Sequence, residues 1–427
     1  MIFALILFIS TLFFVANLAK MNRHIALAQG SLPNDRPNER WNNVLLIALG
    51  QKKMFKKPIP AVLHFFVYAG FILINIEVAE IIIDGITGSH RMLLPILGGF
   101  YPILINFFEL LAVLVLVSCV IFIIRRIVVK VPRLNMKELN GWPKMDAIVI
   151  LGVEVVLMLA ILLMNAADQE LQHRGVIGYH HTGNLILSGL FTPIFENWGY
   201  AALLGFERLC WWFHILGIFA FLNYLPFSKH LHIVYAFPNT YYSKLNSQGK
   251  MRNMPAIQNE VAEMMGLDKP NIIDASDVVL FGASDVNELN KTDILGAYSC
   301  TECGRCTSVC PANITGKLLS PRKIMMDTRD RCQELDSDSP NKETNKLLGN
   351  YITHQEIFAC TSCQACVEAC PINIDPLSII NQLKRHIIME KAEGPNAWNG
   401  MVTNVENNGA PWQFSPSDRL NWATDIN

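Results

Sequence analysis

The chain has 427 residues, 51% of them hydrophobic and only 17% charged, with a mean hydropathy of +0.28. That is more apolar than an ordinary soluble protein, so a membrane portion is expected. The formal net charge of −1 gives no electrostatic footprint for nucleic acid and none for an acidic partner.

In chain order, apolar runs long enough to cross a bilayer core of about 20 residues lie near residues 2–18, 59–84, 101–129, 146–168 and 207–228. The first has no positive charge ahead of it and Lys20 and Arg23 behind it, so it reads as an uncleaved anchor rather than a signal peptide. Between spans one and two lie Lys20, Arg23, Arg36, Arg40, Lys52, Lys53, Lys56 and Lys57. Between spans three and four lie Arg125, Arg126, Lys130, Arg133, Lys137 and Lys144. The other two connections carry Arg91 and Arg174 alone. By the positive-inside rule the basic connections face the cytoplasm, the amino end lies outside, and the half after span five is cytoplasmic. The setting is a bacterial or archaeal cytoplasmic membrane, with lipid as the first partner.

Histidines inside this apolar half need partners, because a polar ring facing lipid is costly. His64 enters span two about one turn from its cytoplasmic end, and His232 stands at the cytoplasmic end of span five. Two neutral imidazoles from facing helices at similar depth are what bis-histidine ligation of haem iron requires. His230 rivals His232, since Pro226 interrupts the helix ladder and can change its phase. In an unbroken helix His214 and His232 would share one face, about five turns and roughly 27 Å apart. His214 therefore belongs to the far side, where an outer haem needs a second ligand. Span two offers none, leaving His90, His173, His180 and His181, with His181 or His180 favoured, and HHTGNLILSGLF could form a short helix against the outer end of the bundle. Otherwise His214 hydrogen-bonds a quinone or Glu77. Glu77, Glu80, Glu109 and Glu154 also fall within spans, where carboxylates are proton-carrier candidates. Glu77 and Glu109 are the expected proton path, with His90 and Arg91 near the quinone mouth, whereas Glu80 can reach water from its helix end.

Five spans with these histidines on the second and fifth resemble the gamma subunit of respiratory nitrate reductase and the cytochrome b subunit of membrane-bound heterodisulfide reductase. The resemblance covers residues 1–235 and implies up to two haems b and a quinol site on the outer side. The lack of a second histidine on span two departs from that pattern.

After a polar linker, 236–290, come CTECGRCTSVCP and CTSCQACVEACP. Each is C-x2-C-x2-C-x3-C-P, the run that wraps a [4Fe-4S] cube, with the fourth cysteine pointing away to the other cluster in two-cluster proteins. One cube is thus assigned Cys300, Cys303, Cys306 and Cys370, the other Cys360, Cys363, Cys366 and Cys310. Zinc sites favour two separated C-x2-C pairs instead. Cys119, Cys210 and Cys332 are left over as packing residues. Between the runs, SPRKIMMDTRDRCQEL and NKETNKLLGNY read as helical, with Ser320 as N-cap ahead of Pro321. Residues 291–386 resemble the helical ferredoxin module of fumarate reductase iron-sulfur subunits and of the C-type chain of heterodisulfide reductase.

No nucleotide fingerprint or positioned nucleophile is present. The tail, 387–427, resembles the entry to cysteine-rich CCG domains, which are expected on a separate polypeptide. Trp412, Phe414 and Trp422 would help to dock it. The expected fold is all-α: a five-helix transmembrane bundle followed by a cytoplasmic α-helical ferredoxin domain. The expected function is electron transfer between a quinone of the menaquinone type and a cytoplasmic CCG-domain or flavoprotein subunit. Its cofactors would be one or two haems b and two [4Fe-4S] clusters. A membrane redox sensor or a haem-free, membrane-anchored ferredoxin are the alternatives.

Overall fold

The computed structural model describes residues 1–270 and 280–424. Among them there is no β-strand, only two isolated bridges. Five helical segments, Ile2–Leu27, Pro58–Thr87, Leu94–Ile127, Trp142–His173 and Tyr200–Phe227, are long and apolar enough to cross a membrane. Their main helices are α1 (Ile2–Leu27), α2 (Pro58–Thr87), α3 (Tyr101–Ile127), α4 (Trp142–His173) and α5 (Tyr200–Tyr224). Proline within the first two positions starts α2, α3 and α4, where its missing N–H costs nothing. Ile74, Ile105, Phe108, Val115, Leu157, Ile161, Ile215 and Phe219 form the inner core of the bundle. Outward-facing Phe8, Ile76, Ile103 and Leu209 stay exposed, as helices apolar all round require of a lipid surface. This is a membrane protein.

The fifth span does not continue as one helix to His232. α5 ends at Tyr224, two short 3-10 turns cover Leu225–Phe227 and Lys229–Leu231, and α6 (His232–Tyr242) starts afresh. Pro226 at the first break removes a ladder hydrogen bond, so His214 and His232 do not share one continuous helix.

Beyond the bundle, α7 (Lys291–Ser299), α8 (Pro321–Leu335) and α9 (Pro376–Arg385) surround the cysteine loops. Ser320 caps α8, accepting from the Lys323 N–H at 3.4 Å. The stretch NKETNKLLGNY, helical by its sequence, is mostly turn, because Leu348 is extended and Gly349 sits at φ +99°. The two ends of the expected linker are built into the fold, while residues 245–270 between them are mostly exposed. Tyr235, Ala236, Asn239 and Thr240 of α6 are buried, and so are Ala283, Val286 and Leu289. Tyr235, Ala283, Val286 and Leu289 belong to one core together with Met21 and Ile25 of α1, Ile294 and Leu295 of α7, Ile324 and Met325 of α8, and Ile379 and Ile380 of α9. Residues 271–279 of that linker lie outside the described residues, as do 425–427 of the tail. Trp412, Phe414 and Trp422 are exposed.

Candidate functional site

A cavity of about 480 Å³ opens between α2, α3, α4 and α5 and runs to the cysteine loops. His64 and His232 both line it, with ring centres 6.4 Å apart and planes at 43°. Nδ1 of His64 donates to Gln51 Oε1 (3.1 Å), and Nδ1 of His232 donates to the Lys229 carbonyl (3.1 Å). Second partners of this kind fix the tautomer and leave each Nε2 lone pair available. A metal–imidazole bond of about 2 Å on each side would put the ring centres roughly 6 Å apart. The spacing can therefore hold one ion between the rings. His230 lines the same cavity and stacks on His232 at 5.5 Å and 12°. Its buried Nδ1 has no hydrogen-bond partner among the described residues. Burial pushes the His230 imidazole down to about 3 and lowers His232 as well.

His214 is buried deeper along the same cavity and donates from Nδ1 to the Leu157 carbonyl at 3.0 Å. The structure does not bring it to His181. His180 and His181 are exposed, and the ring of His181 stands 6.2 Å from that of His173. The segment after them forms a 3-10 helix, Ser188–Ile194, packed against α4.

Cys300, Cys303, Cys306 and Cys370 line the cavity too. These four are the set predicted for one cluster. Burial, then the neighbouring Cys303, Cys300 and Cys370 thiols, push Cys306 well up. Burial raises Cys310, with Cys360 and Cys363 adding to it, and Cys366 likewise has Cys360 and Cys310 among its charge neighbours. Cys370 thus has first-loop cysteines beside it and Cys310 has second-loop ones, while Cys366 also lies near Cys306. Cys363 is exposed, whereas Cys119, Cys210 and Cys332 are buried within the apolar cores. Among the described residues no group of three His, Cys, Asp or Glu side chains could hold a single metal ion.

Charge around the cavity is one-sided. Arg125, Arg126, Arg133, Lys229, Arg305 and Arg322 line it, against Glu154 as the acidic residue. Arg305 reaches the carbonyls of Lys53 (3.2 Å) and Met54 (3.3 Å), and Arg133 donates to the Cys303 carbonyl. In the sequence Arg125, Arg126 and Arg133 register only as topology signals.

A second polar cluster closes the opposite end of the bundle. Arg91 donates to Asp168 (2.9 Å) and Asn165 (2.7 Å) and stands 3.6 Å from Glu77. His90 pairs with Asp168 at 3.2 Å, and Asn165 donates to Glu109 at 3.2 Å. Glu77, Glu109, His90 and Arg91 are therefore joined as one network. Asp168 and Asn165 join it with no expectation from the sequence reading; the available signal is their polarity on the apolar face of span four. Glu80 does not reach water: it is buried and accepts from Tyr101 (2.9 Å) and from the Leu93 N–H (2.9 Å).

Residues 299–374 match the family model of the 4Fe-4S dicluster domain. The chain carries that iron-sulfur domain. Over 93% of its length it is 26% identical to the probable iron-sulfur-binding oxidoreductase FadF of Bacillus subtilis, covering 57% of that protein. Over the same share it is 26% identical to the EtfAB:quinone oxidoreductase of Syntrophomonas wolfei, covering 56%. A quarter of the chain is 30% identical to the C chain of a ferredoxin-dependent CoB-CoM heterodisulfide reductase of Methanosarcina acetivorans, covering 56% of it. The chain spans little more than half the length of the first two relatives. No solved structure matches it.

Proposed function

We propose that the chain carries electrons through the membrane, between a quinone near the Glu77–Arg91–His90 network and a redox partner at the dicluster domain. The supporting observation is the shared cavity: His64, His232 and one complete crossed set of cysteines line the same space. The residues fit the expected groups. His64 and His232 would hold a haem b, with His230 the alternative to His232. Cys300, Cys303, Cys306 and Cys370 would hold the proximal [4Fe-4S] cluster, and Cys310, Cys360, Cys363 and Cys366 the distal one. When bound, haem and clusters supply one-electron chemistry, which divides a quinol's two-electron step into single transfers.

The protein's own residues do the rest. Gln51 and the Lys229 carbonyl aim the two imidazoles, and the cations around the cavity would offset the negative charge of a bound haem and of the cysteine thiolates. At the far end Arg91 can orient a quinone oxygen, while Glu77 and Glu109 accept or return its protons. His214, whose predicted partner His181 is exposed, is assigned to the inner wall of the haem cavity rather than to an outer haem. The basic connections support a cytoplasmic position for the dicluster domain. Exposed Cys363 and the tail give that side an exit toward a CCG-domain or flavoprotein partner. The name of the Syntrophomonas relative, a quinone oxidoreductase, supports the quinone end.

An optical redox titration of the purified protein tests the reading. A reduced b-type α band is expected in the wild type and its loss in both His64→Ala and His232→Ala. A wild-type spectrum without that band would leave a haem-free, membrane-anchored ferredoxin.

A further inference from the structure

The two cysteine loops begin with matching backbone and then diverge, into a 3-10 turn over Thr307–Val309 in one and an α-helix over Ala365–Ala369 in the other. Glu302 and Ser362 occupy matching positions, at φ +55° and +56°, and each gives its N–H to the sulfur of the preceding cysteine, Cys300 or Cys360, at 3.4 Å. Gly304 and Gln364 match likewise, at φ +70° and +63°. The side chains differ as well. The loop facing the membrane half has Glu302 and Arg305 where the other has Ser362 and Ala365.

Glu302 is 4% exposed, so its carboxylate needs partners to be kept. Two cations supply them. Oε2 accepts from Lys229 Nζ at 2.6 Å and Oε1 from Arg329 at 2.8 Å. Lys229, also buried, lies three residues before His232, and its carbonyl accepts the His232 Nδ1–H. A run of bonds therefore leads from the His232 ring through Lys229 to Glu302, and from the Glu302 N–H to the Cys300 sulfur. The sister loop has serine in place of that carboxylate.

We propose that the Lys229–Glu302 ion pair is a positioning strut that holds the proximal cluster site in register with the His64–His232 site and sets the cluster's reduction potential by its charge. This rests on the reading of function above. The step it serves is transfer of one electron between the two centres: one is oxidised as the other is reduced, and no bond or proton moves.

The test is EPR-monitored redox titration of the full-length protein with Glu302→Ser, Lys229→Met and the double variant. Glu302→Ser copies the sister loop, so the left-handed backbone is one that serine already holds in this chain. It removes one carboxylate charge from beside Lys229 and Arg329, whose other acidic neighbours are Asp146 at 3.9 Å and Asp330 at 3.4 Å, and the proximal cluster should become easier to reduce by about tenfold, or about 59 mV for a one-electron couple. Lys229→Met should shift it in the opposite direction. The double variant, which replaces the buried pair with uncharged groups, should fold where a single one is weakened and should lie between the two. Shifts of opposite sign support the strut. Unmoved potentials, or shifts of the same sign, overturn it while leaving the electron-transfer reading intact. Wild-type protein without cluster signals would overturn both.

Discussion

At Gly304 the cysteine loop meets the membrane half, and the contact is close. A Cβ there would lie 2.5 Å from Arg322 Nη1 and 2.8 Å from the Arg133 carbonyl. Gln364 holds a similar dihedral at the matching position, so φ alone does not demand glycine; the approach of Arg133 does. Gly304→Ala should push the loop off Arg133 and reduce the proximal-cluster EPR signal severalfold, with the distal signal retained on spin counting. At this scale the sequence is legible where chemistry is written in spacing, as in the eight cysteines. His64 and His232 are legible because an apolar surrounding makes a histidine conspicuous. Glu302, Lys229 and Asp168 are not, since a charged residue gains its meaning from a partner 73 or 77 residues away. The partner expected for His214 fails for the same reason: depth along a helix is readable, but the path of the intervening loop is not.

Among elements, the long apolar helices are the most readable, and their ends less so. Pro226 signals a change of phase, yet only the folded chain sets where α6 restarts. Ser320 and Pro321 announce α8 correctly, because a cap is a local interaction. The stretch around Leu348 and Gly349 carries helix-forming residues, but its N–H groups serve tertiary contacts, such as Leu347 N–H to Asp285 (3.1 Å) and Leu348 N–H to the Ser284 carbonyl (3.0 Å). In the proposed ligation the two loops act as a unit by exchanging their fourth cysteines. Cys310→Ser should therefore remove most of the signal of the cluster whose other ligands lie on the second loop, and spare the first-loop cluster. EPR spin quantitation checks this, and loss of the first-loop cluster instead would refute the crossed assignment.

For the whole molecule, the division into membrane half, linker and soluble half gives way to a shared core. Met21 and Ile25 of α1 and Tyr235 of α6 pack with the helices around the clusters, and the buried ring of His24 bonds Tyr298 and reaches Asp336 at 3.2 Å. Composition separates an apolar half from a cysteine-rich one but cannot report that their apolar faces meet. A core of this kind should melt as one. On heating, the haem band and the cluster absorbance are expected to decay with a common midpoint, followed optically, and a clear separation of the two would show independent domains. The cavity has a temporal consequence as well. Its walls come from both halves of the chain, so the histidine pair is not enclosed until the last cysteine-bearing segment, nearly 140 residues further along, has docked. A cofactor held by that pair would have to enter before this segment docks: insertion first, sealing second.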